Sequence, residues 1–188
     1  MHFNIADLFE SLADAIGDRE ALVCGERRYT YAQLDARANR VAHWMKSRGI
    51  EAGDHVGLHL YNGGEFIEIL LGCFKVRAVP ININYRYVSE ELRYMFDNAR
   101  LKLLFHQREL SRVVAEAAQG QETLGTFVAL EDGSAEPLDV SGSEAYEEAI
   151  AHAPETRDFP ERSGDDLYIV YTGGTTGMPR GVMWRQED

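Results

Sequence analysis

The sequence predicts an α/β fold, a largely parallel sheet covered by helices. Short apolar runs of strand length alternate with longer segments whose apolar residues recur at helical spacing. That order builds parallel strands joined by helical crossovers. With 45% of its 188 residues apolar, the chain also has the composition of an ordinary globular protein, of a size that buries roughly 70% of its unfolded surface.

The elements follow in order. Ile5, Leu8, Phe9, Leu12, Ala13 and Ile16 mark one helical face, and Gly17 terminates it. The polar face is acidic, which suits packing on a core better than binding an anionic membrane. Residues 21–24 and 27–29 read as a hairpin around Gly25-Glu26. Thr30 and Gln33 form a capping box that opens the next helix. Leu34, Ala38, Val41, Ala42 and Met45 are its stripe, with Lys46 and Arg48 in the last turn and Gly49 beyond.

Strands are then expected at 55–60, 78–83, 101–105, 126–130 and 167–171, and helices at 64–76, 89–98, 110–118 and 146–151. Ser89 is the expected cap of the helix it opens, with Glu90 and Glu91 suited to its first turn. Gly63-Gly64 marks a strand-to-helix turn. Residues 131–142 and 152–164 read as connectors. The expected organisation is an N-terminal α/β subdomain over residues 1–152. A connector, strand and loop over 153–188 then begin the next subdomain.

Charge narrows the function. Nineteen basic against thirty-one acidic side chains give −12, which argues against nucleic acid or an anionic membrane as the main partner. The two cysteines, Cys24 and Cys73, lie far apart without metal-ligand spacing, a usage that fits a reducing compartment. No secretory signal pattern and no membrane-length apolar run occur. The expected location is the cytoplasm. His55 and His59 are four apart on a predicted strand, about 13 Å, too far to share an ion. Asp165-Asp166 reads as a turn before a strand rather than a Mg²⁺ site. Tyr85, Arg86 and Tyr87 read as surface packing. There is no G-x-S-x-G elbow, and no general base or nucleophile stands out.

One segment carries chemistry. Thr172-Gly-Gly-Thr-Thr-Gly-Met-Pro-Arg-Gly181 follows the last predicted strand. Gly173, Gly174, Gly177 and Gly181 let phosphate oxygens approach the backbone closely. Successive N–H groups curved into a nest bind anions without side-chain charge. Thr172, Thr175 and Thr176 add hydroxyl donors, Pro179 stiffens the exit, and Arg180 brings a permanent cation with a donor fork. The competing reading is a hairpin turn rich in Gly and Thr. G-x-x-x-x-G-K-[ST] and G-x-G-x-x-G are both absent. Val182-Met183-Trp184 is strand-like, so no helix dipole is available to the anion.

Residues Tyr171 to Gly181 resemble the signature loop of the AMP-forming acyl-CoA synthetases, adenylation domains and luciferases. That loop usually reads Y/F-T-S/G-G-S/T-T-G-x-P-K-G. Gly173 stands where Ser is commoner, and Arg180 where Lys is usual. Three upstream segments are similar to the family's packing motifs: 28–40, 53–58 and 71–82. In the last of these Gly usually stands in place of Arg77.

The resemblance implies that the chain is the first part of the large N-terminal domain of an adenylate-forming enzyme. Family members are considerably longer and carry a small C-terminal lid domain. Thr172, Gly173, Gly174, Thr175, Thr176, Gly177 and Arg180 match the positions that bind the ATP β/γ-phosphates with Mg²⁺. Coenzyme A and a carboxylic acid are the implied co-substrates, and the rest of the same protein is the implied partner. The aromatic-Gly-x-Thr-Glu segment, the ribose-binding Asp and the lid Lys do not occur in this sequence, so the chain alone is expected to be inactive. Bacterial fatty-acyl or sterol-side-chain ligases are the nearest in look. An amino-acid adenylation domain, or a non-catalytic nucleotide- or protein-binding module, are the alternatives.

Overall fold

The computed structural model describes residues 3–174 and 177–188. The chain runs α1 (Ile5–Ile16), β1 (Glu20–Cys24), β2 (Arg27–Thr30), α2 (Tyr31–Ser47), β3 (His55–His59), α3 (Gly64–Lys75), β4 (Val79–Asn82) and α4 (Ser89–Ala99). It continues β5 (Leu103–Gln107), α5 (Ser111–Ala118), β6 (Thr126–Leu130), β7 (Glu144–Ala145), α6 (Tyr146–Ile150), β8 (Leu167–Gly174) and β9 (Gly177–Arg185). Strands β1 and β2 form a separate hairpin. The others make one sheet in the order β7-β6-β5-β3-β4-β8-β9. All neighbours are parallel except β9, which returns antiparallel beside β8.

Helices cover both faces of this sheet. On one, Trp44 and Met45 of α2 and Ile69 and Cys73 of α3 pack against Val56, Leu58 and Phe105. On the other, Leu92 and Phe96 of α4 and Val114 of α5 pack against Ile81, Leu104 and Ile169. Burial on both faces explains why the strands read as continuous apolar runs rather than alternating ones. The packing at β3 is close at Gly57, where a Cβ would lie 2.7 Å from Leu104 Cδ1 and 2.8 Å from Leu101 Cδ1 and would push those leucine ends aside. Among the described residues no helix is long and apolar enough to cross a membrane.

Local signals set several ends as the sequence predicts. Thr30 accepts from the Gln33 amide at 3.2 Å while the Gln33 side chain accepts from the Thr30 amide at 2.9 Å, a complete capping box. Ser89 departs from expectation. The helix already begins at Ser89, so its hydroxyl sits one residue too late to cap and donates instead to Glu116 at 2.6 Å. Glu91 reaches back to the Val88 amide at 3.0 Å.

Strand β5 lies two residues later than predicted and includes the polar pair His106 and Gln107. β7, only two residues long, gives no periodic signal. The largest change is at the C-terminal end. The expected loop contributes its flanks to a long hairpin, with Thr172 to Gly174 in β8 and Gly177 to Gly181 in β9.

Candidate functional site

The Gly/Thr segment sits at the tip of the β8–β9 hairpin, on the edge of the large sheet. Cross-strand partners run Leu167 with Arg185, Tyr171 with Gly181, Thr172 with Arg180, and Gly174 with Gly177. Thr175 and Thr176 lie outside the described residues. Thr172 and Arg180, eight positions apart in sequence, therefore stand opposite each other, where Cβ atoms are about 5 Å apart. Both are exposed. Arg180 has no ion pair among the described residues, although the chain carries thirty-one carboxylates. A hydroxyl and an uncommitted guanidinium thus share one face beside the glycines, which suits an oxyanion.

Helix α4 braces the hairpin from below. The Tyr94 hydroxyl donates to the Pro179 carbonyl at 3.2 Å, and the Tyr171 hydroxyl donates to Asn98 Oδ1 at 2.7 Å. Burial raises the Tyr171 pKa, which keeps that donor protonated. Gly181 is also closely packed. A Cβ there would stand 3.0 Å from Ile169 Cγ2 and 3.1 Å from the Tyr171 ring.

The base of the hairpin is held by a feature that sequence reasoning did not identify. Arg77 follows α3 with φ +62°, in the left-handed region. Its Nε and guanidinium NH2 donate to Asp166 Oδ1 at 2.9 and 2.8 Å. Asp166 therefore serves as an anchor just before β8, in the turn the sequence predicts there. Asp165 and Arg185 pair with each other at 3.0 Å, and Arg185 also reaches Glu187 and Asp188. No group of three metal-capable side chains occurs among the described residues.

His55 and His59 stand at the two ends of β3, and His59 has another neighbour. Parallel register places it beside His106 of β5, and both are fully buried. Among the described residues neither ring nitrogen of His59 has a hydrogen-bond partner. His106 makes contacts through Nδ1 to the Gln107 carbonyl at 3.0 Å and Nε2 to Ser143 Oγ at 3.2 Å. Burial pushes both imidazoles down to about 4, with His106 adding to the effect on His59. Their separation of 47 positions in sequence concealed the pair.

Comparison with known proteins matches residues 9–188 to the family described as AMP-binding enzyme. The 3-oxocholest-4-en-26-oate–CoA ligase of Rhodococcus rhodochrous is 47% identical over 188 residues, all of this chain and 34% of that protein. A medium/long-chain-fatty-acid–CoA/3-oxocholest-4-en-26-oate–CoA ligase of Mycobacterium marinum is 46% identical over 98% of this chain and 34% of its own length. An inhibitor-bound N-terminal domain of FACL13 from Mycobacterium tuberculosis superposes with a TM-score of 0.86 at 28% identity. That match covers 98% of this chain and 45% of that one. The chain spans about a third of the length of the curated relatives it matches.

Proposed function

The chain belongs to the family of AMP-binding enzymes, and from that premise we propose that it forms the N-terminal part of an AMP-forming acyl-CoA ligase. In the whole enzyme a carboxylate oxygen attacks the α-phosphorus of ATP, the bond to pyrophosphate breaks, and an acyl-adenylate forms. The thiol of coenzyme A then attacks the acyl carbon, and AMP leaves. The relatives' names point to fatty acids or sterol side-chain acids as the carboxylate.

Within this scheme Thr172, Gly173, Gly174, Thr175, Thr176, Gly177 and Arg180 take the β- and γ-phosphates. The observation that carries the assignment is the cross-strand pairing of exposed Thr172 with exposed Arg180, which has no ion pair among the described residues, beside Gly174 and Gly177. Charge-assisted hydrogen bonds from a preorganised backbone stabilise and orient the departing pyrophosphate without a covalent step. Mg²⁺, if bound with the triphosphate, would supply further charge neutralisation.

We further assign residues 153–188 to the start of the second subdomain, after a first over 1–152. The remaining part of the enzyme is the partner of the β8–β9 face. Val170, Val182 and Trp184 share that face and are 40%, 41% and 45% exposed, an apolar edge that a neighbouring unit would cover. We place the enzyme in the cytoplasm, a reading supported by two free, widely separated thiols.

The test joins this chain to the C-terminal two-thirds of one of the matched ligases. Acid-dependent ATP–pyrophosphate exchange is expected from the joined protein and not from the chain alone. Arg180→Ala should then lower kcat/KM for ATP by about 10- to 100-fold, the loss of one charge-assisted contact. Unchanged ATP kinetics in that variant would remove Arg180 from the site.

A further inference from the structure

The geometry points to Arg77 as a positioning residue for the phosphate loop, acting through Asp166 and resting on the nucleotide reading of that loop. Two observations converge. The first is conformational. Arg77 and Arg100 are the non-glycine residues with positive φ among the described residues. An L side chain is disfavoured there, and glycine is the residue that takes this conformation without steric conflict. Arg100 closes a helix with its cap amide bonded back into α4. Arg77 likewise bonds its amide back into α3, to the Phe74 carbonyl at 3.2 Å, but it also sends its side chain across the junction between α3 and β8. Retaining an arginine in a glycine conformation calls for a role for its side chain.

The second observation is the network that the guanidinium completes. Asp166 is nearly buried, with a side chain 8% exposed. Arg77 Nε lies between its two oxygens, at 2.9 Å from Oδ1 and 3.1 Å from Oδ2, and the guanidinium NH2 lies at 2.8 Å from Oδ1. Oδ2 also accepts from Asn4 Nδ2 at 3.3 Å and from the Ser163 amide at 3.1 Å. The Asp166 carbonyl takes the Gln186 amide at 2.9 Å, closing the hairpin at its base. Gln186 Oε1 takes the Ile5 amide at 2.8 Å, and Asn4 Oδ1 caps α1 through the Ala6 amide at 3.0 Å.

One guanidinium thus fastens the first strand of the loop to the end of α3, while Asn4 and Gln186 fasten it to the start of α1. Beyond Asp166 the two strands run together to the tip. The β8–β4 pairing covers only Ile169 and Val170. The orientation of the outer hairpin therefore rests on its base together with the Tyr94 and Tyr171 contacts to α4, and at the base a fork with two donor nitrogens fixes direction in a way a single point charge does not.

Backbone amide exchange and phosphate binding by the whole chain test this with two variants. Arg77→Gly accepts φ +62° without strain, so it removes the fork while sparing the turn. Asp166→Asn keeps Arg77 and removes the charge it holds. In both, amides of β8 and β9 should exchange at least tenfold faster while those of β3 and β5 keep their rates. Affinity for tripolyphosphate with Mg²⁺, read from the Gly173, Gly174 and Gly177 amide signals, should fall about tenfold. Unchanged hairpin protection overturns the inference. So does acceleration spread evenly through the sheet, which would mean a weakened fold. So does a loosened hairpin with unaltered phosphate affinity. Failure of the nucleotide reading shows separately, as a wild-type chain that does not bind the probe at all, and it would leave Arg77 no phosphate loop to position.

Discussion

His59 and His106 place two neutral imidazoles side by side inside the sheet. Their folded-state pKa values, about 4, lie below the ordinary 6.5 because burial disfavours the charged form. Between those values the unfolded chain binds more protons than the folded one, so stability rises with pH across that window. The contribution is fully present above about pH 6.5 and is lost as pH falls toward 4, at roughly 3 kcal/mol for each ring. Urea unfolding at pH 7.5 and pH 5 should show a lower midpoint at the acid end. His59→Leu should flatten the difference, and an equal slope in that variant would assign the acid sensitivity to other groups. Arg77 illustrates another limit of sequence at this scale. The glycine usual in the family at that position fits the φ of +62° that Arg77 adopts. The fork's target, 89 positions away, had no local signature.

Elements were legible where a local signal decides them. The 3.6-residue stripe of α2, its capping box and the apolar runs of β3, β4 and β6 are properties of a few adjacent residues, and they appear within a residue or two of expectation. Tertiary context moved the others. β5 ends on a histidine and a glutamine that only partners such as Ser143 and the Tyr61 amide make compatible with burial. The Gly/Thr segment was legible as an anion loop from composition. Its long hairpin flanks were not, because strand pairing there comes from β9 rather than from β propensity.

The two serine/threonine helix starts make this contrast measurable. Thr30→Ala should cost about 1 kcal/mol by losing a true cap. Ser89→Ala removes only an exposed contact to Glu116 and should cost less than about 0.5 kcal/mol. Chemical denaturation of both variants checks this, and equal losses would restore Ser89 as a cap.

At the scale of the whole molecule, charge is organised around the connector that leads to the loop. Lys75 is fully buried, with Asp35 at 2.8 Å and Glu10 beside it. Arg157 bridges Asp14 and Asp35, and Arg162 bridges Asp7 and Glu10. These pairs bind the segment before β8 to α1, α2 and α3, so the hairpin is delivered by a fixed path while its outer face stays open. An open apolar face and a fixed base predict separable effects of substitution. Trp184 is 45% exposed on that face, opposite Tyr168, whose ring meets Phe74 edge-on at 6.4 Å. Trp184→Glu therefore loses only the buried half of the indole within this chain, and the unfolding free energy of the chain alone should fall by about 1–2 kcal/mol. In the protein joined to the rest of a ligase, the same carboxylate would be buried unpaired against the second unit, a cost of several kcal/mol. The joined variant should then lose stability and adenylation together. A joined Trp184→Glu protein as stable and active as its parent would show that the β8–β9 face is not where the two parts meet.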